Sequence, residues 1–280
     1  AARGRPKFLP SIRSVSPMRF ASIASAALVA ALASAPALAW TDPARRRMVD
    51  DAVKMTPPSL RTILERYRSD LIHGMTDPAR EERGEEHRQR TSGGYGKAAA
   101  QIASRAGQAI TIIGQPGRLG LAVYAMGTAA HYMADVNFPL NTGEGDTSDA
   151  VFYDSYEAYV EKMLWRFPVV LDRKQAEELE EHRLEDFGRA AALRASRFVP
   201  HIRDAYTADG RPRSPQAFDE RSLPFGVASL SYSQSVNDIA RVWIYIWRQA
   251  GGDVEGDPFP RGPGENSSKP SKVEQRGKSQ

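Results

Sequence analysis

His131 and Asp135 stand one helical turn apart in AMGTAAHYMADVNFPL, residues 125–140, a stretch otherwise made almost wholly of apolar and small residues. Side chains spaced i, i+4 share a helix face, so an imidazole nitrogen and a carboxylate oxygen there can reach one metal ion. Gly127 and Thr128 would leave room beside them. The same pair can instead hydrogen-bond within a core, and the spacing alone allows both. Other residues carry ligating chemistry. Asp77 and His87 lie in a polar segment, residues 75–96, and Glu157 follows Tyr153 by one turn in FYDSYEAYV. Each has a structural reading too: Asp77 precedes Pro78, a helix-capping arrangement, and His87 sits in a charge-rich loop. His73 reads as a helix C-terminal residue facing the dipole. His182 lies among Glu and Arg, as on a solvated face, and His201 has no evident partner.

The elements that must position these residues are helical. From Arg118 the pattern is apolar all round (Leu119, Leu121, Val123, Met126, Met133), as expected of a helix buried on every side rather than an amphipathic one. Around it, 3.6-residue periodicity and Pro, Gly and Asp boundaries predict helices over 42–55, 58–74, 97–113, 149–167, 173–198 and 227–250. Residues 137–148 and 200–226 read as loops, the second long enough for a binding loop or lid. Trp243 and Trp247 fall on the apolar face of the last helix and read as core. Residues 254–280 shift to Gly, Pro, Ser and charge and read as a disordered tail. There is no β-alternation, internal repeat or phosphate-cradling glycine loop, so the fold class is all-α, a multi-helix single domain.

Met18-Arg19 followed by FASIASAALVAALASAPALA has the charged start, short apolar middle and small-residue end (Ala37-Leu38-Ala39) of a secretory signal peptide. Met18 is then the expected initiator, with residues 1–17 upstream of it. The expected division is residues 1–39 as leader, 40–253 as folded domain and 254–280 as tail, with the product secreted or periplasmic. The charge follows. Of the 38 basic residues, Arg3, Arg5, Lys7, Arg13 and Arg19 lie in the leader with no acid beside them. The remaining 33 face 34 acids, a formal charge of −1, which removes the compositional case for a stable nucleic-acid-binding surface. The sequence has no cysteine, so disulfides and thiolate ligands are excluded and any metal is held by His, Asp, Glu or main chain. Cleavage after Ala39 would give Trp40 a free amine that, with its carbonyl, could chelate a metal. Its other reading is an ordinary residue after a cleavage site.

HYMADVNFPL, taken with Trp40 as a mature terminus, resembles the zinc-dependent bacterial phospholipase C family, which shares its fold with the fungal and plant single-strand nucleases. The resemblance runs over roughly residues 40–253, is sharpest on the central helix, and includes RVWIYIWRQAGGD at its end. It implies an exported all-α hydrolase with a centre of three zinc ions. Carried over residue by residue, it implies metal ligands at Trp40, Asp77, His87, His131, Asp135 and Glu157, with Asp135 bridging two ions. Three positions depart from it. Asn141 and Tyr153 stand where the family has histidine, and residues 44–48 supply no histidine beside Trp40.

What survives is Asp77, His87, His131 and Asp135, two imidazoles and two carboxylates, a donor set zinc accepts. Zinc there would acidify a water for attack on phosphorus, and Asp77, the candidate catalytic residue, would accept the proton. The resemblance therefore implies a zinc-dependent phosphodiester hydrolase binding one to three zinc ions. Its partner would be phospholipid or another phosphodiester, met in transient contact with a membrane surface. Three alternatives stand beside it: a non-catalytic protein of the same fold with at most one structural zinc, a nuclease of the same superfamily, and a plain helical bundle in which His131 and Asp135 bond each other.

Overall fold

The computed structural model describes Ala1 and residues 39–81, 84–91, 96–143, 147–172, 179, 184–208 and 213–258. The chain divides into Ala1–Pro36 and Ala37–Gln280, and every described residue except Ala1 belongs to the second unit. Of the leader expected over residues 1–39, residues 2–38 lie outside the described residues, as do His182 and residues 259–280 of the expected tail.

The helices run α1 Asp42–Lys54, α2 Pro58–Arg66, α3 Arg68–Thr76, α4 Pro78–Glu81, α5 Ala98–Ile113, α6 Leu119–Val136, α7 Thr147–Met163, α8 Leu184–Ser196, α9 Val199–Thr207 and α10 Leu223–Gln249. Short 3₁₀ turns occupy Gly84–His87, Pro139–Asn141, Leu164–Arg166 and Pro215–Ala217. Among the described residues, extended pairing is limited to an isolated antiparallel bridge between Gln89 and Gly96. No helix among them is long and apolar enough to cross a membrane.

α6 is the axis of the fold, and every side chain from Ala125 to Val136 is buried. It packs most extensively on α5 and α3, then on α10. Small residues set the α3–α6 approach. A Cβ at Gly127 would lie 2.3 Å from the Leu71 carbonyl oxygen, and one at Gly74 would lie 2.0 Å from that of Tyr124. The space beside His131 that Gly127 was expected to leave for an ion is therefore filled by the α3 backbone. Two indoles fasten α6 to its other neighbours: Trp243 donates to the Met126 carbonyl and Trp40 to that of Ala134, both at 2.9 Å. Neither buried N–H is left unpaired, which would cost about 1–3 kcal/mol.

Several elements differ from the sequence expectation. The helix expected over 58–74 is two, because Tyr67 leaves helical geometry (φ −107°, ψ 31°) and the chain restarts at Arg68. The expected loop over 200–226 begins with helix α9 and ends in the first turn of α10. Pro200 and Pro224 sit at the start of these helices, where a missing N–H costs nothing. Val199, Ile202 and Tyr206 bury the α9 face, and His201 is exposed on the other. The first residues of the expected tail are packed: Val254 lies against the core and Asp257 pairs with Arg248 at 2.8 Å.

Candidate metal centre

His131 projects from the middle of α6. Its Nδ1 donates a 2.8 Å hydrogen bond to the carbonyl of Met75, which lies in the last turn of α3, where carbonyls lack partners within their own helix. The close approach at Gly74 and Gly127 brings that carbonyl within reach. With Nδ1 carrying the hydrogen, neutral His131 presents its Nε2 lone pair to the interior. Asp135, one turn on, places Oδ2 3.1 Å from that nitrogen.

His87 arrives from a different element. It closes the 3₁₀ turn Gly84–His87, which starts at Gly84 with φ 82°, a conformation that favours glycine. The turn is pinned from both sides: the His87 carbonyl accepts from Asn141 Nδ2 at 3.0 Å, and the next-but-one N–H, of Gln89, donates to the Asn141 carbonyl at 3.2 Å. So held, His87 puts Nδ1 2.8 Å from Asp135 Oδ2 and 3.1 Å from His131 Nε2.

His87, His131 and Asp135 are the group of side chains among the described residues whose ligand atoms converge as for a metal ion. Nε2, Nδ1 and Oδ2 are three mutually close basic atoms that share at most one hydrogen when both imidazoles are neutral. Such a triangle can share one hydrogen from His87 Nδ1 or hold a cation. Nitrogen and oxygen donors, with the outer nitrogen of His131 fixed by a carbonyl, fit a zinc-class divalent ion. Burial holds the His131 imidazole below its ordinary pKa, with Asp135 opposing. Burial works to raise the Asp135 pKa, but His131, His87 and Arg45 outweigh it and keep the carboxyl well below the usual range. An unprotonated imidazole beside an ionised carboxylate is the state a metal requires.

The other oxygen of Asp135 faces a residue that the spacing argument did not single out. Arg45, in α1, is 1% exposed, and its Nη2 stands 3.3 Å from Oδ1. An arginine in RRR on a short helix reads from sequence as a surface residue. The signal was its register one residue from Ala44, on the face where Met48 and Val49 are buried.

The remaining expected ligands lie outside the triangle. Asp77 follows α3, half-buried, and Tyr124 Oη donates to its Oδ2 at 3.5 Å, the weak limit of a hydrogen bond. Trp40 is buried, its ring edge-on to Phe138 at 5.2 Å and to Tyr232 at 6.2 Å. Glu157 lies half-buried on α7. Burial raises its pKa to about 7, Asp154 and Glu161 add to this, and Arg45 opposes it. The two positions without the expected histidine touch each other: Tyr153 Oη donates to Asn141 Oδ1 at 2.7 Å. Burial, then Glu157 and Asp135, push the Tyr153 phenol well above its ordinary pKa, so it stays protonated as a donor.

No protein-family model matches the chain, and no curated protein does. Solved structures do. The chain is similar to the alpha-toxin of an avian strain of Clostridium perfringens, with TM-score 0.55 and 15% identity over 75% of this chain and 64% of the toxin. It is similar also to the alpha-toxin of Clostridium absonum, with TM-score 0.57 and 15% identity over 76% and 64%. The chain thus spans just under two thirds of the length of these toxins. At that identity the likeness establishes the fold alone: this chain is a divergent example of the all-α fold of these toxins.

Proposed function

We propose that the chain is an exported, zinc-dependent phosphodiester hydrolase of the phospholipase C type, working with a reduced metal centre. The observation that carries this reading is the His87–His131–Asp135 triangle, in which three ligand atoms from two elements converge with at most one hydrogen between them. His87, His131 and Asp135 would hold a zinc ion, which would supply Lewis acidity toward a phosphoryl oxygen and a lowered pKa for bound water.

The chain's own residues do the rest. Met75 keeps His131 in the tautomer that points Nε2 inward, and Asn141 keeps the His87 turn in place. Arg45 holds the charge of Asp135. Asp77, half-buried and loosely held by Tyr124, is the residue we assign to accept a proton from the attacking water. Trp40 and Glu157, the other residues expected as ligands, take no part in this reduced centre. The substrate class is a phospholipid, presented at a membrane surface.

The test is hydrolysis of phosphatidylcholine vesicles and, in parallel, of single-stranded DNA by the purified chain. It is run as isolated, stripped with chelator and restored with zinc, with Asp135→Asn alongside. Lipid phosphodiester cleavage lost on stripping, regained with zinc and absent in Asp135→Asn supports the reading. Zinc-dependent cleavage of the DNA instead makes it a nuclease. Cleavage of neither substrate supports a second reading, a non-catalytic protein of this fold, which the direct Tyr153–Asn141 bond favours because it ties up two positions expected to serve metal.

A further inference from the structure

Asp135 is the one carboxylate of the centre with both oxygens engaged at its heart, and the two are engaged differently. Oδ2 faces His87 Nδ1 at 2.8 Å and His131 Nε2 at 3.1 Å, while Oδ1 faces Arg45 Nη2 at 3.3 Å. Arg45 is buried to 1% exposure, yet its Nε and Nη1 have no hydrogen-bond partner among the described residues. A buried guanidinium with one long contact and two idle donors is an expensive feature, since an enclosed charge is tolerated only where opposite charge holds it. Asp135 supplies that charge, its Oδ1 in contact with the guanidinium. The Oδ1 side thus holds a carboxylate oxygen and a guanidinium, with no imidazole in contact with either among the described residues.

We propose that Arg45 is the resident cation of the second position on Asp135, a guanidinium standing where a second metal ion would otherwise meet the Oδ1 oxygen, so that the centre takes one divalent ion only. This rests on the reading of the His87–His131–Asp135 triangle as a metal site. The donor chemistry divides accordingly. The Oδ2 side offers two imidazole nitrogens and a carboxylate oxygen, suited to zinc. The Oδ1 side offers a fixed monovalent cation, which neither dissociates nor needs loading. Hydrogen-bond donors replace ligands there, and the Tyr153–Asn141 pair completes the substitution by satisfying itself.

The test is zinc stoichiometry by equilibrium dialysis on the purified full chain. Wild type is compared with Arg45→His, Arg45→Met and Arg45→Lys, each checked for helical content by circular dichroism. The expected result is one zinc per chain for wild type and for Arg45→Lys, which keeps a fixed charge. Arg45→His, which adds an imidazole on the Oδ1 side of Asp135, is expected to bind two, and Arg45→Met to bind a second zinc at least tenfold more weakly than the first. Adding His131→Ala to Arg45→His should remove one zinc and leave one.

Two or more zinc ions on wild type would overturn the proposal. So would one zinc on wild type together with no second zinc on any folded Arg45 variant, and in that case the one-ion reading of the triangle survives. No zinc on wild type overturns both the triangle reading and the inference built on it.

Discussion

Tyr153 Oη donates a 2.7 Å hydrogen bond to Asn141 Oδ1, and Asn141 Nδ2 in turn donates to the His87 carbonyl at 3.0 Å. A chain of two bonds thus runs from α7 to the turn that delivers His87. The residues at the two altered positions act together, as a brace on one leg of the triangle. Removing the hydroxyl in Tyr153→Phe leaves Asn141 Oδ1 short of a partner at a buried site. The expected cost is about 1–2 kcal/mol, read as a fall in Tm of roughly 2–6 °C. An unchanged Tm would show that the brace carries no load.

The α3–α6 approach is the second determinant of the site. Gly127→Ala would drive a methyl to 2.3 Å from the Leu71 carbonyl oxygen, where backbone rather than a flexible side chain must move. The expected loss is about 3 kcal/mol, with weaker zinc binding because the Met75 carbonyl recedes from His131. Gly107→Ala on α5, where nothing lies within 4 Å, is the control. It should be neutral or gain about 0.5–1 kcal/mol. Equal Tm values for the two variants would refute this account of the packing.

Glu157 gives a pH signature. Its folded pKa of about 7 lies above its ordinary 4.5, because burial disfavours the charged form. Between these values the folded state binds the extra proton, so the contribution of Glu157 to stability falls as pH rises through the window and is lowest above it. In chelator, Glu157→Gln should match wild type near pH 4 and exceed it in Tm at pH 8. A Tm difference that is the same at both pH values would contradict the shift.

The all-α class was legible in the sequence because the apolar periods are long and the turn residues sit at their ends. The His131–Asp135 pair was legible for the same reason: i, i+4 spacing on a wholly apolar helix admits few uses for a carboxylate. His87 was not legible from spacing, since it comes from a short 3₁₀ turn held by contacts to residues 141 and 96–99, far along the chain. The resemblance alone pointed to it. Arg45 escaped because an arginine among arginines reads as surface, and only the docking of α1 shows that Arg45 turns inward while Arg46 is exposed. Helix α9 escaped because a proline and polar residues at its start look like a loop until Val199, Ile202 and Tyr206 are seen to share a buried face.

The central claim is that His87, His131 and Asp135 hold a metal ion. Its most direct test is zinc content per chain by elemental analysis of wild type and His131→Ala, purified in parallel without chelator. The account predicts one zinc in wild type and none in the variant. Zinc absent from both, or retained in the variant, would contradict it and return His131 and Asp135 to a hydrogen-bonded pair in the core.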